Sequence, residues 1–193
     1  NGKGIFASGA DIAQLRERRR DDALQGINSR IFDRIHHLPM PVIAALDGYA
    51  LGGGAELAYA ADFRLGTPTL RMGNPETGLG IMAAAGATWR LKELVGEPVA
   101  KQLLLTGAVL TGQDCLRVGL VTELVEPEEL LDAAHALADR IGAQDPLAVR
   151  ISKRVFAAPP SAHPHIDELA QAVLFESQAK FDRMQSFLDR KKT

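Results

Sequence analysis

Apolar residues at Ile27, Ile31, Ile35 and Leu38 recur at helical spacing and predict a helix over about residues 25–38. Pro39 and Pro41 stop it, and residues 42–46 (VIAAL) form the unbroken apolar run of a strand buried on both faces. Upstream, Ile5, Phe6 and Ala7 read as the tail of a strand, with residues 8–11 as a tight exit from it. Downstream, residues 63–65 and 70–72 read as shorter strands, the second ending in a Gly-Asn-Pro-Glu turn at 73–76. Residues 83–94 are alanine-rich and predict a helix that Gly96 ends, and a second runs from Pro98 to Thr106. Thr-Gly-Gln-Asp at 111–114 has the form of a capping box, with Asp in place of the usual Glu or Gln. It opens a helix ending at Gly119, before a strand at 120–125. Residues 127–141, 146–156 and 165–188 predict three more helices. Strands alternating with helices over the first two thirds indicate α/β layers, followed by an all-helical last third.

The last predicted helix carries Leu169, Val173, Leu174, Met184, Phe187 and Leu188, with charge between them. That face packs either on its own domain or on another subunit. A chain of 193 residues is one domain of ordinary size, and its 46% hydrophobic and 24% charged content is that of a globular protein. A net charge of −2 gives no electrostatic case for nucleic acid, and no apolar stretch reaches the length of a membrane span. The basic run at 16–20 is followed at once by Asp21 and Asp22, as at a solvated helix end. The single cysteine, Cys115, excludes an intrachain disulfide and suits a reducing compartment, so a cytoplasmic location is expected. It lies in an apolar pattern with Leu116 and Val118, the setting of a packed thiol.

The stretch GYALGGGAELAYAAD at 48–62 is the richest in candidate chemistry. Consecutive glycines let a backbone approach a ligand, a helix starting there presents free N–H groups, and Glu56 follows within a few residues. A dinucleotide fingerprint fails because the third glycine position is Leu57, and a P-loop fails because no Gly-Lys-Ser/Thr follows. The five histidines have no partners at metal-ligand spacing, so no metal site is expected, and Ser8 is not in a nucleophile elbow. Two glutamates tied to glycine-rich backbone remain, Glu56 and Glu76. They are either mundane capping or salt-bridged residues, or a pair sharing acid and base roles.

Three blocks in register decide the matter: FASGADI at 6–12, PVIAALDGYALGGGAEL at 41–57 and GNPETGLG at 73–80. Together they resemble the enoyl-CoA hydratase/isomerase (crotonase) family. Thr-Trp-Arg-Leu at 88–91, Leu-Leu-Thr-Gly at 104–107 and Gly-Leu-Val at 119–121 extend the likeness over essentially the whole chain. The resemblance implies a crotonase-like spiral of ββα units over residues 1–140 and a helical trimerisation region over 141–193. It implies an acyl-CoA thioester substrate and assembly as a homotrimer or a dimer of trimers. No cofactor is implied, because coenzyme A is part of the substrate.

By the same resemblance, the amides of Ala10 and Gly53 form an oxyanion hole for the thioester carbonyl. Ala7, Ser8, Gly9, Asp11, Ile12, Gly52 and Ala84 line the substrate site, with the Ala84 amide near the water. Glu56 helps activate that water, and Glu76 exchanges the proton at the α-carbon. Retention of both glutamates favours hydration of a 2-enoyl-CoA to a 3-hydroxyacyl-CoA. Double-bond isomerisation, another thioester-enolate reaction, and a non-catalytic or inactive member are the alternatives. Two departures stand out: Ala-Ala-Ala-Gly-Ala-Thr-Trp at 83–89 replaces the family's Pro-Gly-Ala-Gly-Gly-Thr-Gln, and Asn74 replaces a common glutamine. The family's first strands and first helix have no counterpart in these residues, and the chain opens Asn-Gly-Lys-Gly without methionine. A longer natural polypeptide is therefore expected.

Overall fold

The computed structural model describes residues 4–190. It divides into two compact units, one of residues up to 38 together with 42–137, the other of residues 39–41 together with those from 138 onward.

In the first unit, two small sheets form. One has the order β1 (Ile5–Ala7), β3 (Tyr49–Leu51), β5 (Arg71–Gly73), β6 (Val109–Thr111); the other has β2 (Ile43–Leu46), β4 (Phe63–Gly66), β7 (Glu123–Leu124). β1, β3 and β5 are parallel neighbours, with Ala7 opposite Ala50 and Leu51 opposite Gly73. Parallel neighbours all leave a sheet at the same end, so the chain exits at residues 8–11, 52–54 and 74–76 lie side by side. The three sequence blocks are those exits. β2 and β4 pair in parallel and supply apolar faces, with Leu46 and Leu65 almost fully buried.

The core between the sheets and helices is built of Leu46, Ala50, Ala55, Ala58, Tyr59, Leu70, Met72, Leu91, Leu103, Cys115, Leu120 and Val121. Its alanines let helix α4 (Gly53–Tyr59) lie close to the first sheet. Cys115 is a free, buried thiol, and burial pushes it up to about 12, so it stays protonated and unreactive. Arg64 is buried too, but its Nε and Nη1 donate to the carbonyls of Leu120 and Ala61 at 2.8 and 2.7 Å. A buried cation satisfied in this way serves structure.

The apolar spacing at 27–38 corresponds to α3 (Ile27–His36), entered through Gly26 in the left-handed region. Two short helices precede it, α1 (Ile12–Glu17) and α2 (Arg20–Gln25). Neither buries a residue, so neither carries the apolar stripe by which a helix is read. The helix expected over 83–94 does not form as one piece. Residues 81–84 are irregular, 87–91 form a π-helical turn, and α5 (Lys92–Thr106) follows with its backbone broken at Gly96. Alanine favours helix locally, but the chain here bends to bring backbone amides onto a buried carboxylate.

Thr111 and Asp114 do form the capping box of α6 (Gly112–Arg117). The strand expected at 120–125 shrinks to β7, because the amides of Leu120 and Val121 close back on the Cys115 carbonyl. β3 and β6, three residues each, were too short to show a period.

The second unit is helical. Most of α7 (Leu130–Gly142) lies in the first unit and its last residues in the second, which continues with α8 (Pro146–Phe156), α9 (His165–Phe175) and α10 (Gln178–Arg190). The long helix expected over 165–188 is two helices. Glu176 and Ser177 separate them, and Ser177 Oγ accepts from the Lys180 amide at 3.3 Å, starting the second. Leu169, Val173, Phe175, Phe181, Met184, Phe187 and Leu188 each remain at least half exposed.

Candidate active site

The site is assembled where β1, β3 and β5 end. After β1, residues 8–11 turn toward the N-terminus of α4, and Asp11 caps α1 by accepting from the Gln14 amide at 3.0 Å. A side chain on Gly9 would stand 3.2 Å from the Leu51 carbonyl oxygen and 3.3 Å from the Gly53 nitrogen. The 8–11 turn is therefore in contact with the start of α4, which brings Ala10 beside Gly53. Neither the Ala10 nor the Gly53 amide finds an acceptor among the described residues. Ser8 and Ile12 are exposed beside them, and Ala7 lies in β1 against Gly54.

Glu56, one turn into α4, is 3% exposed. Its Oε1 accepts from the amides of Ala85 and Ala87 at 2.7 and 3.1 Å. Burial pushes this carboxyl above its ordinary range, the two amides pull it down, and the neighbouring Glu76 adds to the rise. Ala84 itself is exposed; the amides that reach Glu56 belong to the buried residues just after it. Alanine side chains carry no chemistry, so nothing in their identity marks these donors. The bend at Gly86, with φ 142°, is what aims them.

Glu76 stands in the short 3-10 turn Pro75–Leu79 that follows β5. Its Oε1 accepts from Asn74 Nδ2 at 3.3 Å, and its Oε2 is buried with no partner among the described residues. Asn74 is 1% exposed and fully engaged. Its Oδ1 accepts from the Tyr59 hydroxyl at 2.9 Å, and Nδ2 also donates to the Gly52 carbonyl at 3.3 Å. Burial pushes the Tyr59 phenol far up, so it acts only as a proton-bearing donor. The chain Tyr59, Asn74, Glu76 thus ties one carboxyl oxygen to the core and leaves the other, buried one unpaired among the described residues. Asn74 and Tyr59 are the residues that sequence reasoning missed, although the Asn74 position was visible as a departure. Gly52 belongs to the same corner, since a side chain there would stand 3.2 Å from Glu76 Oε1.

Tyr59→Phe is expected to strip from Asn74 Oδ1 its only donor among the described residues and cost about 1–3 kcal/mol, the usual penalty for a buried unsatisfied acceptor. Denaturant melts read that loss; an unchanged midpoint would mean the bond contributes nothing.

Trp89 is 44% exposed, with the Arg90 guanidinium carbon 5.2 Å from its ring centre.

The structure therefore brings Ala10, Gly52, Gly53, Glu56 and Glu76 to one end of one sheet. Known proteins share this sequence and fold. The sequence matches the enoyl-CoA hydratase/isomerase family over residues 1–193. It is 37% identical over 202 residues to the short-chain-enoyl-CoA hydratase of Clostridium acetobutylicum, covering 99% of this chain and 76% of that protein. It is 39% identical over 200 residues to the crotonyl-CoA hydratase of Syntrophomonas wolfei, covering 100% of this chain and 76% of that protein. The crystal structure of an enoyl-CoA hydratase from Bacillus anthracis superposes with a TM-score of 0.92 at 30% identity, over 98% of this chain and 76% of that one. An enoyl-CoA hydratase structure from Geobacillus kaustophilus gives a TM-score of 0.89 at 32% identity, over 97% of this chain and 74% of that one. With this fold and these relatives, the chain belongs to the enoyl-CoA hydratase/isomerase family and has the crotonase fold.

Proposed function

We propose that the protein hydrates a 2-enoyl-CoA reversibly to a 3-hydroxyacyl-CoA. The observation that carries this reading is the unequal tethering of two neighbouring carboxyls. Glu56 Oε1 is fixed by two amides, while Glu76 is held through Oε1 alone and its buried Oε2 has no partner among the described residues.

In the proposed reaction the thioester carbonyl sits on the amides of Ala10 and Gly53. Water, deprotonated by Glu56, attacks the β-carbon, and the C=C electron pair moves onto the thioester oxygen as an enolate. Two preorganised donors suit that oxygen, and one such donor supplies about 3–4 kcal/mol of transition-state stabilisation in comparable sites. Glu76 then delivers a proton from Oε2 to the α-carbon, and proton return from Glu56 to Glu76 restores the pair. The balance is one water added across one double bond. Glu56 enters as carboxylate, which its two N–H partners favour against the upward push of burial, and Glu76 enters carrying the proton that it delivers. The thioester and the amides supply the polarisation, so no metal or redox cofactor takes part in the proposed steps. The relatives' names support short acyl chains.

Incubation with crotonyl-CoA should consume the enoyl thioester and yield 3-hydroxybutyryl-CoA. Failure to turn over crotonyl-CoA with conversion of a 3-enoyl-CoA would move the assignment to isomerisation. Binding of acyl-CoA with no turnover of either would make the protein a non-catalytic member.

We further propose a homotrimer or a dimer of trimers. The half-exposed apolar residues of α9 and α10 support it, since a solvated helix pair does not ordinarily leave three phenylalanines uncovered. Sedimentation equilibrium should return a mass near three or six chains; a monomer at micromolar concentration would refute assembly.

A further inference from the structure

A buried cation near Glu56 has no part in the steps above. Arg90, in the π-helical turn Ala87–Leu91, is 4% exposed. Its Nη2 donates to Asp33 Oδ1 of α3 at 3.0 Å, while Nε and Nη1 are buried and meet no acceptor among the described residues. Desolvating a guanidinium is expensive, and one bond to a carboxylate that is itself 54% exposed repays little of it. Arg64, with its Nε and Nη1 on carbonyls, shows what a purely structural buried arginine looks like in the same unit.

Its placement is informative. A side chain on Gly86 would lie 2.6 Å from Arg90 Nη1 and 3.7 Å from Cδ and Cζ, so the guanidinium rests on the Gly86 backbone. The Arg90 amide also donates to the Gly86 carbonyl at 2.8 Å. Gly86 is the residue between the two amides that grip Glu56. Arg90 thus fastens that bend to α3 through Asp33. Its charge also acts on Glu56, drawing the carboxyl down against the effects of burial and of Glu76. The other groups facing it come from α3 and its surroundings. His36 is held below its usual range by burial first, Arg90 second and His37 third, against the Ala60 backbone and Asp62, which raise it, and so adds no charge at neutral pH. Asp33 is the anion in contact, and water screens half of it.

We propose that Arg90 is the positioning residue of Glu56: seated on Gly86 and anchored by Asp33, it holds the Ala85 and Ala87 amides on the carboxylate. This rests on the proposed role of Glu56 as water-activating base, yet its first test needs no turnover.

Side-chain carboxyl titration by NMR of protein carrying 13C-labelled glutamate, with Glu56→Gln used to assign the signal, reads the Glu56 midpoint directly. In Arg90→Gln the midpoint should rise by about one unit, the size expected on losing a nearby opposite charge. In Arg90→Lys, which keeps the charge, it should return most of the way. In the hydration assay, Arg90→Gln should lower kcat and move the acidic limb of the pH profile upward while KM holds. A folded Arg90→Gln protein with an unmoved Glu56 midpoint overturns the proposal. Where Arg90→Gln does not fold, Asp33→Asn serves instead: releasing the anchor should speed hydrogen exchange of the Ala85 and Ala87 amides, and unchanged exchange overturns it. A shifted midpoint in a protein without hydratase activity supports the coupling of Arg90 to Glu56 and refutes the reaction alone.

Discussion

Glu56→Gln and Glu76→Gln should each lower crotonyl-CoA hydration by on the order of 10²–10⁴-fold, the range for losing a general acid or base. Their stabilities should part company. Glutamine at 56 keeps an oxygen for the Ala85 and Ala87 amides and removes a carboxyl that burial disfavours as an anion. The sign follows from that upward shift: a folded-state pKa above the unfolded one destabilises the native state at pH above both. The cost fades as pH falls toward the unfolded value. Glu56→Gln should therefore be at least as stable as the parent near neutral pH, with the advantage shrinking on acidification. Melts across that range check it. A large drop in stability at neutral pH would mean the carboxylate is a structural anchor. Loss of hydration in Glu76→Gln alone, with a 3-enoyl-CoA converted, would indicate isomerase chemistry.

The second large effect is expected from one methyl group. A Cβ on Gly54 would stand 2.0 Å from the Ala7 carbonyl oxygen and 2.6 Å from its carbon, both backbone atoms. No rotamer relieves such a clash, so Gly54→Ala must push β1 off the start of α4. Overpacking of this kind costs roughly 1–3 kcal/mol. Here the displaced strand also carries the 8–11 turn, so the Ala10 amide moves away from Gly53. We expect destabilisation by about 2–3 kcal/mol, the upper part of that range, together with loss of most activity. Gly53→Ala is the matched control, since its Cβ would meet only Asn28 Nδ2 at 3.7 Å and Gly9 Cα at 3.9 Å. That variant should fold normally, and damage to turnover without damage to stability would locate the substrate at residue 53. Equal stability of the Gly54→Ala protein and the parent would show that β1 is free to shift.

These variants also mark how far the sequence could be read. The apolar run at 43–46 and the glycine-led helix at 53–59 were legible because an unbroken apolar run and turn chemistry leave local traces. Glu56 and Glu76 were legible as candidates because carboxylates beside glycine are chemically conspicuous. The donors on Glu56 were not, because any residue except proline offers an amide and only the path of the backbone decides where it points. The same blindness produced the continuous helix expected over 83–94. A count of alanines registers propensity, whereas the chain at Gly86 answers to a carboxylate 30 residues earlier. The split at Ser177 had a local sign, a serine three residues before the amide it caps, which the apolar spacing on either side overrode.

The parallel order of β1, β3 and β5 has a consequence for the time at which the site comes into being. Ala7 must wait for Ala50, Leu51 for Gly73, and Glu56 for the amides of residues 85 and 87. No local segment holds even a partial site, and on the ribosome each earlier piece stays uncommitted until a later one emerges. Pairings of such long sequence separation make folding slow. The glycine-rich stretch at 52–54 therefore lacks its strand partner, and Glu56 its amides, until residues as far on as 87 have been made.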